Sequence, residues 1–248
     1  MFAFAPTIAP AAILHGNFPG ATVDYLDVSE DTNTGDALPL FGAPTVSGDA
    51  LDFNPLGFSA SASGENGVDQ TDGQLLFTIM GKTGNGISNI LLAEAGDVSL
   101  TGFGTDATFA AVTTNITIDI LATDQGPVNI NYQTSISNFS PSGGSFGQLT
   151  DGGGGPLFSS NWSGAVLIEL GPILTNNGHV GEIATKVNVN LDNVLSALSE
   201  RGTVATIAKK DFDASGFSVR IQTNVPEPAT AVLALSGLLA LTTGFRRR

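Results

Sequence analysis

Gly143-Gly144-Ser145-Phe146-Gly147 has the spacing of a nucleophile elbow, in which a serine is raised on a sharp strand-to-helix turn. The run sits instead in a Gly/Ser-rich stretch that continues into Gly152–Gly155, where no helix is expected. His15 and His179 are the two histidines available as a base, and neither has a coherent triad around it. No catalytic residue is assigned, and no enzyme activity is expected. Two histidines without ligand spacing, and no cysteine, also exclude a typical zinc centre, disulfides and thiolate chemistry.

Calcium is the ion these residues suit best. Asp27, Glu30, Asp31 and Asp36, with Asn33 among them, form an acidic turn rich in the hard oxygen ligands that calcium takes, and Asp69 and Asp72 form a smaller one. Asp211-x-Asp213-x-Ser215-Gly216 resembles the first half of an EF-hand loop, but Gln222 stands where the bidentate glutamate belongs. No other cofactor is expected, and a solvated acidic loop is the alternative at each turn. Sugar binding through a flat aromatic platform is disfavoured, because Trp162, Tyr25 and Tyr132 all fall within alternating runs. A cleft built from Asn, Asp and one aromatic stays open, with extracellular polysaccharide as its partner.

The elements that must position these residues are strands. Apolar residues recur at every second position in Leu75-Phe77-Ile79, Ile116-Ile118-Ile120, Val128–Ile136, Trp162–Leu170, Val187-Val189-Leu191 and Phe217-Val219-Ile221. Turn clusters such as Gly84-Asn85-Gly86, Asp124–Pro127 and Asn176-Asn177-Gly178 separate the runs. About ten strands at this spacing predict an all-β, jelly-roll-like antiparallel sandwich. Leu191–Glu200 is the one stretch with helical spacing; the alternation before it favours a strand that bulges near Asp192-Asn193. The Gly/Ser-rich stretch 139–160 reads as a long surface loop.

The charge is unevenly placed. Arg246, Arg247 and Arg248 are three of the nine basic residues, so six basic groups face 23 acidic ones in the rest of the chain. Such a surface repels nucleic acid, which is excluded as a partner. Mean hydropathy of +0.20 leaves ample apolar material for a core.

The C-terminus reads Val225-Pro226-Glu227-Pro228, then Ala229–Phe245 without a charge, then the three arginines. Those uncharged residues would span about 25 Å as a helix, the lower limit for crossing a bilayer. Pro226 biases Val225 toward an extended conformation, and Pro228 suits the first turn of a helix. The arginines are expected to stay cytoplasmic, leaving everything before Val225 outside. A plain membrane anchor meets the same physical requirements. This order of features resembles the PEP-CTERM sorting signal of exported bacterial proteins. The resemblance implies processing near Pro226-Glu227-Pro228 by an exosortase-type membrane protease, transient membrane retention through the apolar helix, and an address at the cell surface or in the extracellular matrix.

The expected organisation is a signal-peptide remnant at 1–12, a β-sandwich ectodomain at 13–223 and a sorting segment at 224–248, with an apolar helix at 229–245 and a basic tail at 246–248. The expected role is that of a non-catalytic surface or matrix protein, with a secreted glycan-binding module as the alternative.

Overall fold

A computed structural model describes residues 11–55, 57–210 and 219–224. Its strands are β1 (Ile13–Pro19), β2 (Val23–Asp31), β3 (Thr45–Ser47), β4 (Ala50–Phe53), β5 (Ser59–Ser63), β6 (Gly67–Gly81) and β7 (Asn89–Thr101). They continue as β8 (Phe109–Thr123), β9 (Gly126–Ser135), β10 (Ser145–Gly147), β11 (Leu157–Glu169), β12 (Ala184–Ser199), β13 (Val204–Lys209) and β14 (Val219–Asn224), with one short helix, α1 (Leu170–Asn176).

The strands form two antiparallel sheets. The first runs β1-β2-β6-β12-β8, with β9 and β10 both paired to β8. The second runs β3-β4-β14-β7-β13-β5, with β11 paired to β7. Strand β7 is long enough to pair with β13 through Gly96–Thr101 and with β14 through Asn89–Glu94. Late strands thus enter between early ones: β12 lies between β6 and β8, and β14 between β4 and β7. The expected jelly-roll-like arrangement is met at the level of an antiparallel two-sheet sandwich.

Alternation produces the core. Leu75, Phe77 and Ile79 of β6, Ile116, Ile118 and Ile120 of β8, and Val187, Val189 and Leu191 of β12 are all buried in one apolar cluster, which also takes in Ile90, Leu92 and Ile207 from the opposite sheet. Period-2 side-chain placement puts all of these on inner faces. Trp162 of β11 lies directly opposite Gly96 of β7, and its indole donates to the Asp97 carbonyl at 3.2 Å. A Cβ at Gly96 would collide with the indole ring and the Ala208 carbonyl. The bare glycine is what admits the ring.

Two local expectations are corrected. Strand β12 does not bulge at Asp192-Asn193; it pairs without interruption with β6, and its register shift against β8 lies between Ala184 and Val187. The break in alternation arises because a polar side chain, Asn193, occupies a core position between Leu191 and Leu195. The helix is also elsewhere, at Leu170–Asn176. Pro172 falls in its first turn, where a missing N–H costs nothing, and Gly178 (φ +90°) closes it with bonds from His179 N to Leu174 O and from Gly178 N to Thr175 O, a Schellman stop. Leu170 therefore ends an alternating run by starting a helix.

Among the described residues no helix is long and apolar enough to cross a membrane. The expected apolar helix at 229–245, the basic tail, and nearly all of the expected signal remnant at 1–12 lie outside the described residues.

Candidate functional site

The outward face of the first sheet carries a polar grid. Strand register sets Ser29, Leu76, Asn190, Thr117 and Gln133 in one row across β2, β6, β12, β8 and β9. The next row holds Thr78, Asn188, Asp119 and Asn131, and the row on the other side Gln74, Asp192, Asn115 and Ser135. Opposed residues share a face, so three rows of amides, hydroxyls and carboxylates meet on one surface.

An open trough of about 370 Å³ lies over the first two rows, lined by Asp27, Ser29, Leu76, Thr78, Thr117, Asp119, Asn188 and Asn190. Thr78 Oγ1 donates to Asn188 Oδ1 at 2.7 Å, and Asn131 Nδ2 donates to Asp119 Oδ1 at 2.8 Å. Asn190 Oδ1 and Asp192 Oδ1 accept no hydrogen bond from the protein. Burial raises the carboxyl pKa of Asp192; burial and then the Asp192 charge raise that of Asp72. The lining contains no lysine or arginine. It offers mixed donors and acceptors, one exposed leucine and a negative bias, which suits a neutral polyhydroxylated ligand better than an anion.

The acidic turn read as a calcium site comes apart. Glu30 is fully buried, its Oε2 accepting from the N–H groups of Leu40 and Phe41 at 2.7 Å each and its Oε1 from His15 Nε2 at 2.7 Å. Asp31 Oδ1 accepts from Thr32 N at 2.8 Å, Asp36 accepts from the Thr34 hydroxyl, and Asp27 sits on a bulge (φ +54°) facing the trough. Among the described residues no three acidic, histidine or cysteine side chains converge on one point. Asp211 and Asp213 lie outside the described residues. Ser145 opens β10 at a sheet edge, after a short 3₁₀ turn, without the helix that a nucleophile elbow needs.

A second cluster, which alternation conceals, lies between the sheets. Lys209 Nζ is 2.7 Å from Glu94 Oε2, with both side chains buried. Thr114 Oγ1 is 2.8 Å from the same carboxylate oxygen and 3.0 Å from Asn193 Oδ1. The rings of Phe58 and Trp162 flank the ammonium at 5.4 and 5.5 Å. Glu94 Oε1 and Asn193 Nδ2 have no partner. Burial lowers the pKa of Lys209, against the pull of the Glu94 charge.

The sorting residues Val225, Pro226, Glu227 and Pro228, the segment Ala229–Phe245 and the tail Arg246–Arg248 lie outside the described residues. The strand that precedes them, β14, is paired on both edges, and its last residue, Asn224, pairs with Asn89.

No curated protein matches the chain. Solved structures with some likeness include TmCBM61 in complex with β-1,4-galactotriose (6% identity, 71% of this chain and 70% of that one, TM-score 0.19). Two others are the loop-swap mutant of Necallimastix patriciarum Xyn11A (9%, 84% and 94%, 0.22) and CBM28, a module specific for non-crystalline cellulose (12%, 67% and 81%, 0.23). Likenesses this low carry no argument about function. The family comparison is specific: residues 224–248 match the model of the PEP-CTERM protein-sorting motif. The sandwich thus leads directly into a PEP-CTERM sorting motif, a signal for export and exosortase sorting to the cell surface.

Proposed function

We infer that the chain is a non-catalytic component of a bacterial surface or extracellular matrix. Its segment 229–245 holds it transiently in the membrane, and an exosortase-type protease then cuts near Pro226-Glu227-Pro228. The observation that carries this reading is the position of the motif. It begins at Asn224, where β14 ends, so a cut beyond that residue leaves every described strand in place. Both histidines engage carboxylates, His15 with Glu30 and His179 with Glu182, which accords with a structural use of the groups a hydrolase would employ as base. Subcellular fractionation of the native host tests the reading: surface-extracted protein lacks the apolar segment, and Glu227→Ala with Pro228→Ala leaves the chain uncut in the membrane.

A second reading, glycan binding, is favoured by the trough. Its amides and hydroxyls and the absence of cationic lining residues suit a neutral polysaccharide. A glycan array probed with the purified protein tests it.

A further inference from the structure

Lys209 and Asn193 stand on consecutive strands, β13 and β12, which belong to opposite sheets. Both are buried, at 1% and 0% exposure. Their polar ends are joined by a short chain: Lys209 Nζ to Glu94 Oε2, that oxygen to Thr114 Oγ1, and that hydroxyl to Asn193 Oδ1.

The hydrogen-bond inventory of this chain does not close. Thr114 has one hydroxyl proton, yet its oxygen lies within bonding distance of two acceptors, Glu94 Oε2 and Asn193 Oδ1. A proton on Glu94 resolves this: the acid then donates to Thr114, and Thr114 donates to the amide carbonyl. The proton is available from Lys209, because burial favours the neutral amine and a buried ion pair carries a desolvation cost on both partners. Turning the Asn193 amide over would pair its nitrogen with Thr114 and leave its oxygen bare instead. In either orientation a buried carboxamide keeps an unmatched atom, and it is linked to a buried primary amine through one hydroxyl and one carboxyl group.

We propose that Lys209 and Asn193 form an intramolecular amide cross-link that joins the two sheets through the core, with Glu94 as the proton carrier. The free-base Nζ attacks Asn193 Cγ, whose carbonyl the Thr114 hydroxyl polarises. Glu94, protonated at the outset, gives its proton to Nδ2 and takes the one from the attacking nitrogen in its place. The Cγ–Nδ2 bond breaks, ammonia leaves, and the Nζ–Cγ amide remains. No oxidant or co-reactant is needed, and atoms and charge balance. To react, Nζ must leave Glu94 Oε2 and pass the Thr114 hydroxyl to reach Asn193 Cγ. Phe58 and Trp162 wall the amine, and burial keeps bulk water from competing as nucleophile. The product removes the buried amine and the unpartnered Nδ2 together. It also staples a chain that has no cysteine with which to form a disulfide.

Tryptic digestion of the full-length protein under denaturing conditions, followed by mass spectrometry, tests this. Cleavage after Lys186, Arg201 and Lys210 places Asn193 in peptide 187–201 and Lys209 in peptide 202–210, because an acylated lysine resists trypsin. The expected result is one branched species, lighter by one ammonia than the two peptides combined. Two separate peptides at full mass overturn the proposal. Glu94→Gln should keep the far-ultraviolet circular dichroism and yield the separate peptides; a branched species from that variant would overturn the role of Glu94. Because the wild-type digest decides whether the bond exists, a variant that fails to fold does not shield the proposal.

Discussion

Glu30 and Phe41 are bound through the core edge: the fully buried Glu30 carboxylate accepts the Phe41 N–H at 2.7 Å, and the same oxygen takes the N–H of Leu40. Phe41 is thereby set edge-on to Phe53 and Phe58, with ring centroids 6.0 and 5.1 Å away. Glu30 is thus the organiser of a loop, with its oxygens already spoken for.

Glu30→Gln therefore puts an amide donor against backbone donors in a dry site. The expected cost is about 3 kcal/mol, or roughly 6–12 °C in melting temperature for a chain of this size. Differential scanning calorimetry should show the same loss in chelator and in millimolar calcium. A loss confined to calcium-containing buffer would restore Glu30 as an ion ligand.

Asp192 and Asp72 hold their protons more tightly in the fold than in the unfolded chain, through burial and, for Asp72, the neighbouring Asp192 charge. A raised folded pKa gives stability that is fully present below the ordinary carboxylate value of 3.8 and is lost as pH climbs through the raised values. Asp192→Asn, which mimics the protonated form, should therefore raise the melting temperature near pH 7, by about 3 °C at most, and leave it unchanged at pH 3. An equal gain at both pH values would separate the effect from ionisation.

Gly96→Ala should be far more damaging than an ordinary strand substitution. The added methyl group meets the Trp162 ring and the Ala208 carbonyl, and neither can retreat without moving β11 or β13. A loss of about 3 kcal/mol or more is expected, read as a drop in the urea midpoint.

The strands were legible because their inward residues are mostly apolar: β6, β8 and β12 announce themselves through Leu75-Phe77-Ile79, Ile116-Ile118-Ile120 and Val187-Val189-Leu191. Strand β7 was harder to read, since Glu94 and Gly96 occupy two of its inward positions. Asn193 misled in the same way, as a polar core residue that looked like a bulge. The trough could not be read at all. It depends on β12 entering between β6 and β8, which brings Asn190 beside both Leu76 and Thr117, and local sequence does not specify which strands become neighbours. The sorting motif was legible in full because it is a linear signal that needs no partner strand.

Asn190→Ala and Thr117→Ala test the trough as a ligand site. Both side chains point outward, so melting temperature should change by less than about 2 °C. Retention on any polysaccharide that binds the wild-type protein should fall at least about tenfold, the cost of one or two lost hydrogen bonds. Retention equal to wild type would remove glycan binding from the trough.

The measurement that bears most directly on the sorting of this protein is intact-mass spectrometry of material extracted from the surface of its native host. Processing at the motif gives a chain that ends within or beside Val225–Pro228, with β14 retained and the segment 229–248 gone. A surface chain that still ends at Arg248 would contradict exosortase sorting and leave a tail-anchored ectodomain in its place.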